Sequence, residues 1–216
     1  MSIFSKFLDN SKERELKKSM AKIHNEVERE YKPIGEVGRA IVQASMNCRE
    51  AVKELIKMPT EEEKQEREIF IFYEFIYFYM HLTMRQAFGV LSEEQIKKIQ
   101  DFLGPVIASV AIDSYFAHWP EDIKEKMTGE FYEKLNDAEM EYAACTQSET
   151  SAEGEERIKE KFRALFLKLC SNVADLASNE ESNLTLLIPV MEVASKEWAK
   201  MHLGKLISAI KESSSL

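Results

Sequence analysis

The chain has 216 residues, of which 44% are hydrophobic and 31% charged, with a formal net charge of −9. That is apolar material enough for one sizeable core, and without a local basic stripe the acidic balance excludes duplex nucleic acid and anionic membrane as natural partners. With 7 glycines and 5 prolines, turns are few, so the elements are long and helices are favoured over strands.

The first predicted helix runs from about Ser5 to Tyr31, with Leu16, Met20, Ile23, Val27 and Tyr31 as its stripe. Its basic residues (Lys12, Arg14, Lys17, Lys18, Lys22) alternate with Glu13 and Glu15 and precede Glu26, Glu28 and Glu30, a pattern of i,i+4 pairs on a solvated face. Ile3, Phe4, Phe7 and Leu8 form a separate apolar knot in a stretch without the apolar length or cleavage site of a secretory signal. Pro33 is expected to end this element.

The second helix, about Ile34 to Lys57, carries Ile34, Val37, Ile41, Ala44, Cys48, Val52 and Leu55 on one face. Thr60, followed by Glu63, is a capping box opening a third helix over Glu61–Phe88, closed at Gly89. Ser92 caps a fourth helix, in which Gly104-Pro105 is expected to produce a kink or break. The fifth, about Glu121–Gln147, places Ile123, Met127, Phe131, Leu135, Ala138, Tyr142 and Cys145 inward. Residues 146–155 are polar, small and acidic and read as a mobile loop. The sixth, about Glu156–Ala177, presents Ile158, Phe162, Leu165, Leu169, Val173 and Leu176. The seventh, about Leu184–Lys211, turns Leu187, Met191, Ala194, Trp198, Met201 and Ile210 inward, and residues 1–10 and 212–216 are expected to fray.

The third helix is the informative one. Between Ile69 and Phe88 it is apolar and aromatic around nearly its whole circumference, so it belongs in the interior. Glu74, His81, Arg85 and Gln86 within it weigh against a membrane span. Glu74, Tyr77, His81 and Arg85, spaced +3, +4 and +4, share a face. Such a ladder either fixes helix register by buried hydrogen bonds or lines a pocket, with His81 as acid or base, Arg85 as anion clamp and Glu74 as base or orienter. The flank of the fifth helix (Tyr132, Asn136, Glu139, Tyr142) is spaced to answer it, with Glu139 the natural partner of Arg85 or His81.

No metal site is expected. Glu74 and His81 lie about 10 Å apart along the helix axis, and no Glu-x-x-His motif occurs. No nucleophile elbow, glycine-rich phosphate loop or CxxC pair is present, and no cofactor is expected. Cys48, Cys145 and Cys170 read as small core hydrophobes in a reducing, cytoplasmic protein.

The sequence thus specifies an all-α single domain over residues 1–216, a bundle of about seven long helices around a central aromatic helix. Its leading function is a soluble, non-catalytic one exercised through protein contacts, as a homo-oligomer or with another protein. The alternative is a ligand-binding or enzymatic bundle whose pocket is lined by Glu74, Tyr77, His81 and Arg85, with Asn136, Glu139 and Tyr142 across from them, and which takes a small-molecule ligand. Whether the chain is an enzyme is open at this stage.

Overall fold

The longest helix, Glu61–Phe88, has protein on every side through its middle turns. In the computed structural model, which describes residues 31–115, 120–147, 154–177 and 184–213, it is the axis of an all-helical fold. A helical stretch over residues 31–52 (α1) precedes α2 (Glu61–Phe88), α3 (Glu93–Tyr115), α4 (Glu121–Gln147), α5 (Gly154–Ala177), α6 (Leu187–Lys200) and α7 (Leu203–Ser213). No strand occurs among the described residues. The expected first helix and the apolar knot at residues 3–8 lie outside them.

The helix starts follow the capping chemistry. Thr60 Oγ1 accepts from the Glu63 amide at 3.2 Å, satisfying one of the orphan donors of α2. Ser92 and Gln95 cap α3 reciprocally: the Ser92 amide donates to Gln95 Oε1 (3.0 Å) and the Gln95 amide to Ser92 Oγ (3.4 Å).

Two expected breaks do not divide a helix, and one division was not expected. Helical backbone runs through Pro33, whose fixed φ suits a helix. Helix α3 also continues through Gly104-Pro105 as one element, with Pro105 exposed. By contrast, the single helix expected over 184–211 is divided. His202 takes a left-handed backbone (φ 48°) after α6, a position usually given to glycine, and α7 starts afresh at Leu203.

Helix α2 packs against α3, α4, α5 and α7, and its Tyr79 reaches α1 and α6. Ile71, Phe72, Phe75, Ile76, Phe78, Tyr79 and Leu82 are at most 1% exposed, and each such side chain contributes roughly 1.5–3 kcal/mol by burial. Phe78 meets Phe166 of α5 edge-on (4.9 Å, 74°) and Phe131 of α4 meets Tyr73 likewise (5.6 Å, 71°). Helix α1 approaches α3 so closely that a Cβ on Gly38 would sit 2.7 Å from Val106 Cγ1. The α1 stripe from Ile34 to Val52 is buried as expected.

Three inward assignments are corrected. Ile158 (59% exposed) and Phe162 (39%) face outward, because the first turns of α5 have no neighbour among the described residues to cover them. Met191 is also exposed (37%), and Val190 takes the buried position of that turn.

Candidate functional site

The polar ladder of α2 divides among several neighbours. Glu74 Oε1 accepts from Tyr142 Oη of α4 at 2.5 Å and from Asn172 Nδ2 of α5 at 2.8 Å. Asn172 Nδ2 also donates to Glu141 (3.2 Å), which is ion-paired with Lys168. This clasp ties α2, α4 and α5 together through one carboxylate. Burial pushes the Glu74 carboxyl above its usual range and Glu141 adds to the rise, while the Tyr142 and Asn172 hydrogen bonds and Lys168 oppose it. The same burial, with Glu74 alongside, lifts the Tyr142 phenol well above its ordinary value, so it remains a donor.

Two turns on, His81 is 5% exposed, and its Nδ1 lies 2.9 Å from Glu139 Oε2. A carboxylate only accepts, so Nδ1 carries the proton it shares with Glu139, and the buried Nε2 has no hydrogen-bond partner among the described residues. The Tyr77 hydroxyl donates to the Phe131 carbonyl at 3.3 Å. Arg85 is partly buried and forms no ion pair among the described residues, so Glu139 serves His81 and not Arg85.

A second polar cluster joins α1, α2 and α6. Tyr79 Oη donates to the Ala194 carbonyl (3.0 Å), contacts Cys48 Sγ (3.1 Å), and its ring stacks on Trp198 (6.4 Å, 6°). Burial pushes the Cys48 thiol up to about 12, which keeps it protonated and poorly nucleophilic. Glu197, 5% exposed, accepts from Asn47 Nδ2 (2.8 Å) and from Lys200 Nζ (2.5 Å). Burial raises its pKa, but those two donors outweigh it and hold the carboxyl below the usual range. Sequence reasoning passed over Glu197, yet it lies on the buried stripe Val190, Ala194, Glu197, Met201, whose spacing marks it. Asn172 holds the matching place on α5, three residues after Leu169 and seven after Leu165.

The larger concavity lies beside the ladder. A cavity of about 440 Å³ opens between α2, α3 and α4. Met80, Met84 and Phe88 form one wall, Ile99, Leu103 and Pro105 another, and Tyr132, Leu135, Asn136 and Glu139 the third. Of the seven residues predicted for a site, Asn136 and Glu139 reach it, whereas Glu74, Tyr77, His81, Arg85 and Tyr142 do not line it. Phe88, 59% exposed, stands at its edge. A second cavity of about 380 Å³ shares Pro105 and Tyr132 with the first and follows α3 and α4 toward Glu121.

No family model, curated protein or solved structure matches this chain. No group of three or more metal-ligating side chains occurs among the described residues, and none of their helices is long and apolar enough to cross a membrane.

Proposed function

We propose that this protein is non-catalytic and acts through protein contacts made by the groove between α2, α3 and α4. The observation that carries the reading is an open, apolar concavity of about 440 Å³ walled by Met80, Met84, Leu103 and Leu135, with Phe88 59% exposed at its rim. Methionine adapts its shape to an incoming apolar surface, and grooves of this kind receive the apolar face of a helix. The ladder lends less support to the ligand-binding alternative. Glu74, Tyr77 and His81 each make a hydrogen bond to α4 or α5, which serves helix register. A cytoplasmic setting and self-association belong to the same proposal. No disulfide joins Cys48, Cys145 and Cys170, and Ile188 on α6 is 70% exposed.

Titration of the methyl-labelled protein with an uncharged amphipathic helical peptide (leucine on one face, glutamine on the other) tests the reading. The expected result is saturable shifts of the Met80 and Met84 methyl resonances that are lost in Phe88→Asp. Shifts spread over all methionines, or absent from these two, would overturn it.

A further inference from the structure

We infer that the groove's partner is a basic amphipathic helix of about five turns, lying along the α3–α4 face from Glu139 to Glu121. The inference rests on the preceding reading that this surface binds protein, and it adds the partner's length and charge.

The length comes from the way the two cavities join. They share Pro105 and Tyr132, so the apolar floor continues from the Met84 end to the Ile112 end. At the trough's waist the Tyr132 ring packs over Gly104, where an added Cβ would lie 3.4 Å from Tyr132 Cε1. From Glu121 to Glu139, α4 covers about 27 Å at 1.5 Å per residue. A compact ligand reaches one end of such a trough, whereas a helix whose apolar anchors recur every three or four residues out to about i+18 reaches both.

The charge comes from the walls. Among the described residues, Glu139 is the only charged one lining the first cavity. The second is lined by Glu121, Glu125 and Lys124, and Lys124 already faces Glu121 at 3.4 Å. Glu139 gives one oxygen to His81 and its side chain is 39% exposed, so the carboxylate is both fixed in place and open to a cation. Glu125, exposed at the far end, lies about 21 Å along α4 from Glu139. A partner with a lysine or arginine near each end and an apolar face between them matches this arrangement, and an acidic partner would place like charges in contact.

The test uses the full chain and two synthetic peptides of about five helical turns with the same leucine face, one with a lysine polar face and one with glutamate. Calorimetry should give one lysine peptide per chain, bound about tenfold or more tightly than the glutamate peptide. The double variant Glu125→Gln/Glu139→Gln should weaken the lysine peptide about tenfold. The same loss of charge at Glu62 and Glu63, exposed on the first turn of α2, should change its affinity less than about twofold. An equal loss from the Glu62/Glu63 change would mean attraction by bulk charge and would overturn the inference. If both peptides bind equally and shift the Met80 and Met84 methyls, the protein-binding reading stands and the basic partner falls. If neither shifts them, both fall. Dimers that take up no peptide and dissociate in Phe88→Asp would assign the trough to a second copy of the chain and overturn the inference.

Discussion

Replacing Glu74 by glutamine should preserve the clasp between α2, α4 and α5 and remove a pH-dependent loss of stability. Both donors converge on Oε1, from Tyr142 at 2.5 Å and Asn172 at 2.8 Å, and a glutamine carbonyl accepts both. Burial raises the folded carboxyl above the unfolded value of about 4.3. Between those two values the native state binds more protons than the unfolded chain, so stability falls as pH rises through the window and is flat above it. Glutamine has no such dependence, so the wild type should lose ground to Glu74→Gln as pH rises from about 4.3 through the raised folded value. Glu74→Leu behaves differently. It strands the Tyr142 hydroxyl in the core, while Asn172 keeps Glu141 at 3.2 Å, so the cost is that of one unsatisfied buried group, about 1–3 kcal/mol, and not of two. Urea denaturation followed by tryptophan fluorescence across this pH range measures both variants. The reasoning is refuted if Glu74→Gln is more than about 1 kcal/mol less stable than wild type at neutral pH, or if the wild type gains on it as pH rises.

Other perturbations have clear signs. Glu139→Ala removes the hydrogen-bond partner of His81 Nδ1 and should cost about 1–3 kcal/mol, whereas Glu139→Gln keeps an acceptor and should cost under about 1 kcal/mol, both read from chemical denaturation. Arg85→Ala should change stability by no more than about 0.5 kcal/mol by the same measurement, since no ion pair among the described residues holds the guanidinium. Gly38→Ala forces a methyl to 2.7 Å from Val106 Cγ1 and should cost about 1–3 kcal/mol, visible as a lowered Tm. Gly129→Ala, exposed within α4 with nothing within 4 Å of the new Cβ, should gain about 0.5–1 kcal/mol.

The parts of the fold legible in the sequence are those governed by local chemistry. Thr60 with Glu63, Ser92 with Gln95, and the uninterrupted apolar run after Ile69 locate α2 and the start of α3, because caps and periodicity act within a few residues. His202 was opaque. A histidine in left-handed backbone carries no sequence mark. The inner face of α5 was legible from Leu165 onward and not at Ile158 or Phe162, because periodicity records which side a helix buries and not where its neighbours stop. Within the site, the spacing of Glu139 and Tyr142 revealed that α4 answers α2, but which partner each would take depends on interhelical geometry. So His81 obtained the carboxylate that Arg85 was equally placed to claim, and the groove beside them, walled by ordinary core residue types, left no trace.

Helix α2 has an awkward birth. Its Tyr79 hydroxyl waits for a carbonyl made 115 residues later, and the amide of Asn172 that clasps Glu74 arrives 98 residues after that glutamate. From Phe88 until α5 and α6 emerge, the growing chain therefore carries an aromatic rod that is only partly covered, and chains stopped short of α5 and α6 should clump or be held by chaperones until they are degraded.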